Sequence, residues 1–147
     1  MPTEAPLLAV ENLSVSFRTQ DGLVRAVDRV SFQVGSGEIV GLVGESGSGK
    51  SQTLLSIMGL INNPNAELSG SIRFMGQELV GLRRRDLDAI RGRQIAMVFQ
   101  DPMTAMTPVH TIGAQIVEQL RAHESLSRRA ARSRAAELLD AVGIPGA

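Results

Sequence analysis

Residues 39–51 read IVGLVGESGSGKS, an apolar run that opens into a glycine-rich loop and ends in Lys50 and Ser51. The segment 44–51 fits the pattern G-x-x-x-x-G-K-[ST] in full. Glycines let such a backbone curl until successive N–H groups point inward at phosphate oxygens. A helix starting at the loop's end adds the partial positive charge of its N-terminus. Gly44, Glu45, Ser46, Gly47, Ser48, Gly49, Lys50, Ser51 and Gln52 are therefore the candidate nucleotide-binding residues. Lys50 is expected to reach the β- and γ-phosphates, and the Ser51 hydroxyl to coordinate Mg²⁺. A chain with this stretch must supply a strand, a tight loop and a helix in that order.

Composition sharpens the point. Of the fifteen basic residues, fourteen are Arg, and the single lysine is Lys50. A planar guanidinium fork is bulky, whereas a compact ammonium fits inside a phosphate cradle. The chain has 147 residues, enough for one ordinary domain with its own core. Its formal net charge is zero, so no overall field draws it to nucleic acid or acidic lipid. There is no cysteine, hence no disulfide and no thiolate metal site. Neither a membrane-spanning apolar run nor a secretory leader is visible, so a cytoplasmic location is expected.

Alternation of apolar and polar residues predicts strands over 7–17 and 24–34, joined through Asp21-Gly22 as an antiparallel pair. EIVGLV (38–43) and QIAMVFQ (94–100) read as strands buried on both faces. Helices are predicted over 51–61, with Leu54, Leu55, Met58 and Ile61 inward, and over 83–93. Residues 69–79 read as a further strand and turn. From Pro108 onward the spacing is helical, first through Ile112, Ile116 and Leu120. A final helix follows, with Ala131, Ala135, Leu138, Leu139 and Val142 on one face and Gly143 and Pro145 as stops.

The loop alone leaves the class of enzyme open. A guanine-reading Asn-Lys-x-Asp is ruled out, because Lys50 is the only lysine. Asp101, at the end of the apolar run 95–99, fits the metal-ordering acid of a kinase-like enzyme. Against that reading, Gln100 intervenes and Pro102 follows at once.

The segments LLAVENLSVSF, AVDRVSFQVGSGEIVGLVGESGSGKS, GSIRFMGQEL and IAMVFQDPM, with the later VHTIG, resemble the ATP-binding subunits of ABC transporters. Within that family the likeness is to dipeptide and oligopeptide importers, and it covers the whole chain. The resemblance implies that Gln100 is the Q-loop glutamine, touching Mg²⁺ and the attacking water, with Asp101 merely its neighbour. It also implies that Phe17 stacks on adenine; the plain alternative is an ordinary strand residue, with Phe32, Phe74 and Phe99 in the core. Where the family has SLNP, this chain has Ala105, Met106, Thr107 and Pro108, which bears on transporter-side contacts more than on ATP.

Hydrolysis in that family further requires an LSGGQ signature, a Walker B Asp-Glu pair and a switch histidine, and none occurs in the sequence. Leu68-Ser69-Gly70 precedes the Q-loop and lies in a strand region, while His110 and His123 suit surface or packing roles. The isolated chain is accordingly expected to hydrolyse ATP barely, if at all. The arginine-rich stretch 128–134 suits a solvated face, and for 83–85 contact with lipid headgroups or a membrane partner is an alternative.

These readings together predict an α/β fold of the P-loop NTPase, RecA-like type. A parallel core sheet and an antiparallel β subdomain fill residues 1–105. A helical subdomain begins at 106–147 and stops before the signature and Walker B motifs. The resemblance implies ATP and Mg²⁺ as cofactors. It implies as partners a second ATP-binding subunit, transmembrane permease subunits and, indirectly, a solute-binding protein, but no nucleic acid. A location at the inner face of the cell membrane follows from those permeases. The alternatives are a non-catalytic nucleotide-binding fragment and the kinase-like enzyme using Asp101.

Overall fold

The computed structural model describes residues 5–101 and 106–144. The chain divides into two compact units, Met1–Leu87 and Asp88–Ala147.

The first unit is built on a four-stranded antiparallel sheet. Strands β1 (Leu8–Thr19), β2 (Gly22–Val34), β3 (Ala66–Phe74) and β4 (Gln77–Glu78) lie in the order β2-β1-β3-β4. Asp21-Gly22 makes the expected hairpin turn, closed by the Thr19 hydroxyl donating to the Gly22 carbonyl at 2.9 Å. Val10, Leu13, Val15 and Ile72 form the fully buried centre. In β1 the step from Val10 to Leu13 is three residues, whereas their partners Phe32 and Val30 in β2 stand two apart. A bulge absorbs the difference and keeps both side chains inward. It is matched by a second bulge in β2, and Asn12 and Arg29 each adopt φ of 48° there. Their amides, lost to the ladder, donate across the pair: Asn12 to Ser31 Oγ at 2.8 Å and Arg29 to Ser14 Oγ at 2.9 Å.

Helix α1 (Lys50–Ile57) follows the glycine-rich loop. It is shorter than the predicted 51–61. Gly59, at φ 60°, ends it: its N–H donates to the Ser56 carbonyl, and the Leu60 N–H donates to the Leu55 carbonyl. The inward face also differs from the expected one. Thr53, Ser56, Ile57 and Met58 are buried, while Leu54 is exposed. Burial of the two hydroxyls is offset by bonds to the Gly49 and Gln52 carbonyls, at 3.0 and 2.6 Å.

The predicted buried strands over 38–43 and 94–100 carry no ladder among the described residues, apart from one parallel bridge between Arg91 and Ile95. Ile39 and Val43 are 98% and 93% exposed, and Val98 is 96% exposed. A strand needs a second backbone alongside to satisfy its N–H and C=O groups. The four strands of the sheet are occupied with one another, and no further strand is present among the described residues. Phe99 is likewise exposed rather than in the core, Phe32 is half-buried, and Phe74 is buried as expected.

Helix α2 (Arg84–Ile90) leads into the second unit, where α3 (Ile112–His123) and α4 (Arg128–Ala141) pack as a helical hairpin. Thr111 and Ser127 cap their N-termini, accepting from the Ala114 and Ala130 amides at 3.2 Å each. Ala131 and Ala135 are buried, whereas Leu138, Val142 and Ile112 are exposed. Gly143 ends α4 as Gly59 ends α1, with Ile144 N–H donating to the Leu139 carbonyl. Pro145 lies outside the described residues, as do Pro102 and Ala105.

Candidate nucleotide site

The loop 44–49 arrives at α1 through Gly49, which has φ of 89° and stands at the N-cap position. No side chain caps the helix. The first-turn N–H groups, which have no intrahelical acceptor, are thus left for an anion. Gly49 also presses on β2: a Cβ built there would lie 2.2 Å from the Ala26 carbonyl oxygen. Glycine is demanded at this position both by dihedral angle and by space.

Lys50 staples the loop. Its Nζ donates to the Gly44 carbonyl at 2.7 Å, the Glu45 carbonyl at 2.6 Å and Ser48 Oγ at 3.3 Å. The ammonium is therefore held against the loop's own backbone. Ser48 N–H donates to the Glu45 carbonyl at 3.2 Å and closes the turn beneath it. Ser51 is exposed at the first turn of α1 and Gln52 is half-buried beside it; Glu45, Ser46 and Gly47 are exposed.

Phe17 lies on β1, half-buried, opposite Val24 of β2 and Ala66 of β3. Val24 is two residues from Ala26, the residue that Gly49 abuts, a distance of about 7 Å along a strand. The ring and the loop are thus brought to one region of the sheet through β2. Gln100 and Asp101 belong to the second unit and are exposed. His110 is exposed, and its carbonyl accepts from Gln115 Nε2 at 3.0 Å. His123 is half-buried at the end of α3, close to Gly92. Among the described residues no cluster of three histidines or carboxylates could hold a metal by itself.

Two residues that the sequence did not single out support this geometry. Thr53 Oγ1 ties α1 back to the Gly49 carbonyl, and the Ala26 carbonyl sets how closely the loop approaches the sheet. Thr53 had a readable signal, a hydroxyl four residues after a helix-opening glycine. Ala26 had none, because its role depends on a long-range contact.

The chain is similar to known proteins in both sequence and fold. The ABC transporter family matches residues 27–147. A protein of Brucella abortus, provisionally named a peptide import ATP-binding protein, is 55% identical over 143 residues, 97% of this chain and 43% of that protein. The dipeptide transport ATP-binding protein of Escherichia coli is 45% identical over 139 residues, 95% of this chain and 42% of its own length. The chain thus spans less than half the length of these curated relatives. A dimeric bacterial ABC transporter cassette superposes with a TM-score of 0.76 at 25% identity, over 90% of this chain and 56% of that one. The α/β P-loop NTPase class expected from the sequence is the class of these cassettes. Among the described residues no helix is long and apolar enough to cross a membrane. From the glycine-rich loop to the match over most of its length, the chain belongs to the ABC transporter family.

Proposed function

We propose that this chain supplies the nucleotide-holding part of the energy-coupling ATP-binding subunit of a peptide importer. The observation that carries the reading is the stapled loop. Gly47 and Gly49 turn the backbone through positive φ, α1 presents uncapped amides, and the sole lysine of the chain is bonded to the loop's carbonyls. Gly44 to Gln52 would wrap the phosphates of ATP, Lys50 would neutralise the β- and γ-phosphates, and Ser51 would hold Mg²⁺. Bound Mg²⁺ supplies charge neutralisation at the phosphates. Phe17 would stack on the base, a contact worth about 1–3 kcal/mol where aromatic residues meet bases.

The peptide substrate is drawn from the names of the relatives, one provisionally of peptide import and one of dipeptide transport. In this reading residues 1–105 form the nucleotide core and residues 106–147 open a helical subdomain. The subunit works as a pair with a second ATP-binding subunit, against permease subunits at the inner face of the membrane. A solute-binding protein delivers peptide to those permeases.

The test is calorimetric titration of Mg-ATP into the chain and into Lys50→Ala. The reading expects saturable binding by the native chain and a loss of at least about tenfold in the variant. No heat from folded native protein, or equal affinity in the variant, would overturn it.

A further inference from the structure

A lysine ammonium carries three N–H donors and no acceptor. In Lys50 all three are engaged by the loop itself: by the Gly44 carbonyl at 2.7 Å, the Glu45 carbonyl at 2.6 Å and Ser48 Oγ at 3.3 Å. A phosphate oxygen that takes a bond from Lys50 must therefore displace one of these acceptors.

The three are not equally easy to displace. The two carbonyls are short contacts to main chain, and the Glu45 carbonyl is further fixed by the Ser48 N–H at 3.2 Å. Ser48 Oγ, at 3.3 Å, lies beyond the range of about 2.7–3.2 Å usual for a nitrogen donor. A single side-chain torsion carries it away. The hydroxyl also rests against Gly44, where a Cβ would stand 2.7 Å from Ser48 Oγ. Gly44 lies outside the positive-φ region, so an alanine there would meet the hydroxyl and not a dihedral penalty. An ammonium–phosphate bond is charge-assisted on both sides and roughly twice as strong as one between neutral groups. Exchange of the hydroxyl for phosphate is thus favourable, yet the bond to Ser48 is given up each time. Ser48 competes with phosphate for one donor.

We propose that Ser48 is a positioning residue for Lys50. Its hydroxyl holds the ammonium against the loop and yields that donor to a phosphate oxygen of an arriving nucleoside di- or triphosphate, so that it lowers the loop's affinity for nucleotide. This role rests on the nucleotide-holding function proposed above and adds an opposing contact to it.

Ser48→Ala removes the competitor. Calorimetric titration of Mg-ATP is expected to show binding at least about threefold tighter than in the native chain. A hydroxyl that merely stiffened the loop, or that bonded phosphate directly, would give the opposite sign. The sole lysine supplies a second readout, because protein isotopically labelled at lysine Nζ carries a single side-chain ammonium signal in NMR. Measured without nucleotide, that signal should shift in Ser48→Ala. Gly44→Ala, whose Cβ pushes Ser48 Oγ aside, should shift it in the same direction with the hydroxyl still in the chain. Urea unfolding checks that each variant is folded.

Unchanged or weaker binding by folded Ser48→Ala overturns the proposal, as does an Nζ signal that neither substitution moves. If the native chain itself gives no heat with Mg-ATP, the nucleotide-holding function falls and the exchange falls with it. Native binding that Ser48→Ala fails to tighten removes the exchange alone.

Discussion

Gly49 passes so near Ala26 that a Cβ on the glycine would stand 2.2 Å from the Ala26 carbonyl oxygen. Backbone cannot yield as a flexible side chain can, so the contact fixes where the loop rides over β2. Gly47, with φ of 80°, has nothing within 4 Å of its hypothetical Cβ. Gly47→Ala should therefore carry only the dihedral penalty, about 1–2 kcal/mol. Gly49→Ala adds a clash to the same penalty and should cost about 3 kcal/mol or more. Urea unfolding of the two variants measures the difference. Equal costs would show that the approach to Ala26 does not constrain the loop.

Lys50 is the second discriminating position. Its ammonium sits 2.7 and 2.6 Å from two loop carbonyls, a geometry suited to a compact donor. Lys50→Arg keeps the charge and replaces that donor with a planar fork. The expected outcome is a loss of Mg-ATP affinity of at least about tenfold with little change in unfolding midpoint. Calorimetry and thermal melting of the same preparation check both halves. Retained affinity would mean that charge alone suffices.

Glu78 gives the fold a pH dependence. Burial alone would raise its pKa, but the Ser71 hydroxyl, the Ile72 and Val80 amides and the nearby Arg73 outweigh it and hold the carboxyl below its ordinary value. The two amides donate at 2.9 and 3.0 Å, and the Ser71 hydroxyl donates to the other oxygen. A lowered folded-state pKa means the stabilisation is full above the unfolded-state value. It fades as pH falls through the folded-state one. Native protein should lose stability across that acid window, and Glu78→Gln should lose less there while being weaker at neutral pH. Unfolding midpoints at several pH values measure it; parallel curves for the two proteins would refute the clasp.

The helix caps show what the sequence could disclose and what it could not. Thr111 and Ser127 precede their helices as readable caps, and replacing either with Ala should cost about 1 kcal/mol by urea unfolding. The glycine-rich loop was legible for the same reason: its chemistry lies in contiguous residues from Gly44 to Ser51. Gly59 ends α1 sooner than the apolar spacing out to Ile61 predicts, and the bulges at Asn12 and Arg29 depend on cross-strand register, which no local pattern encodes. Phe17 could be placed near the loop only once β1, β2 and Ala26 were paired in space. The expected strands over 38–43 and 94–100 failed differently. Their apolar runs report a need for burial, whereas a ladder also needs a neighbour.

That unmet need leads to the last expectation. Ile39 and Val43 are 98% and 93% exposed on a segment that has β-branched residues and no paired backbone. Exposed apolar, β-prone segments without charge invite pairing with another chain. The chain should therefore self-associate as its concentration rises and should bind a dye that reports apolar surface. Ile39→Lys with Val43→Lys places charge on the segment and should lower both signals. The sheet around Leu13 and Ile72, which does not contain these residues, should unfold at an unchanged urea midpoint. Sedimentation and dye fluorescence of the two proteins at matched concentration decide the matter. If the charged variant associates as strongly as the native chain, the sticky surface lies elsewhere, with Val98 and Phe99 of the second unit next in line.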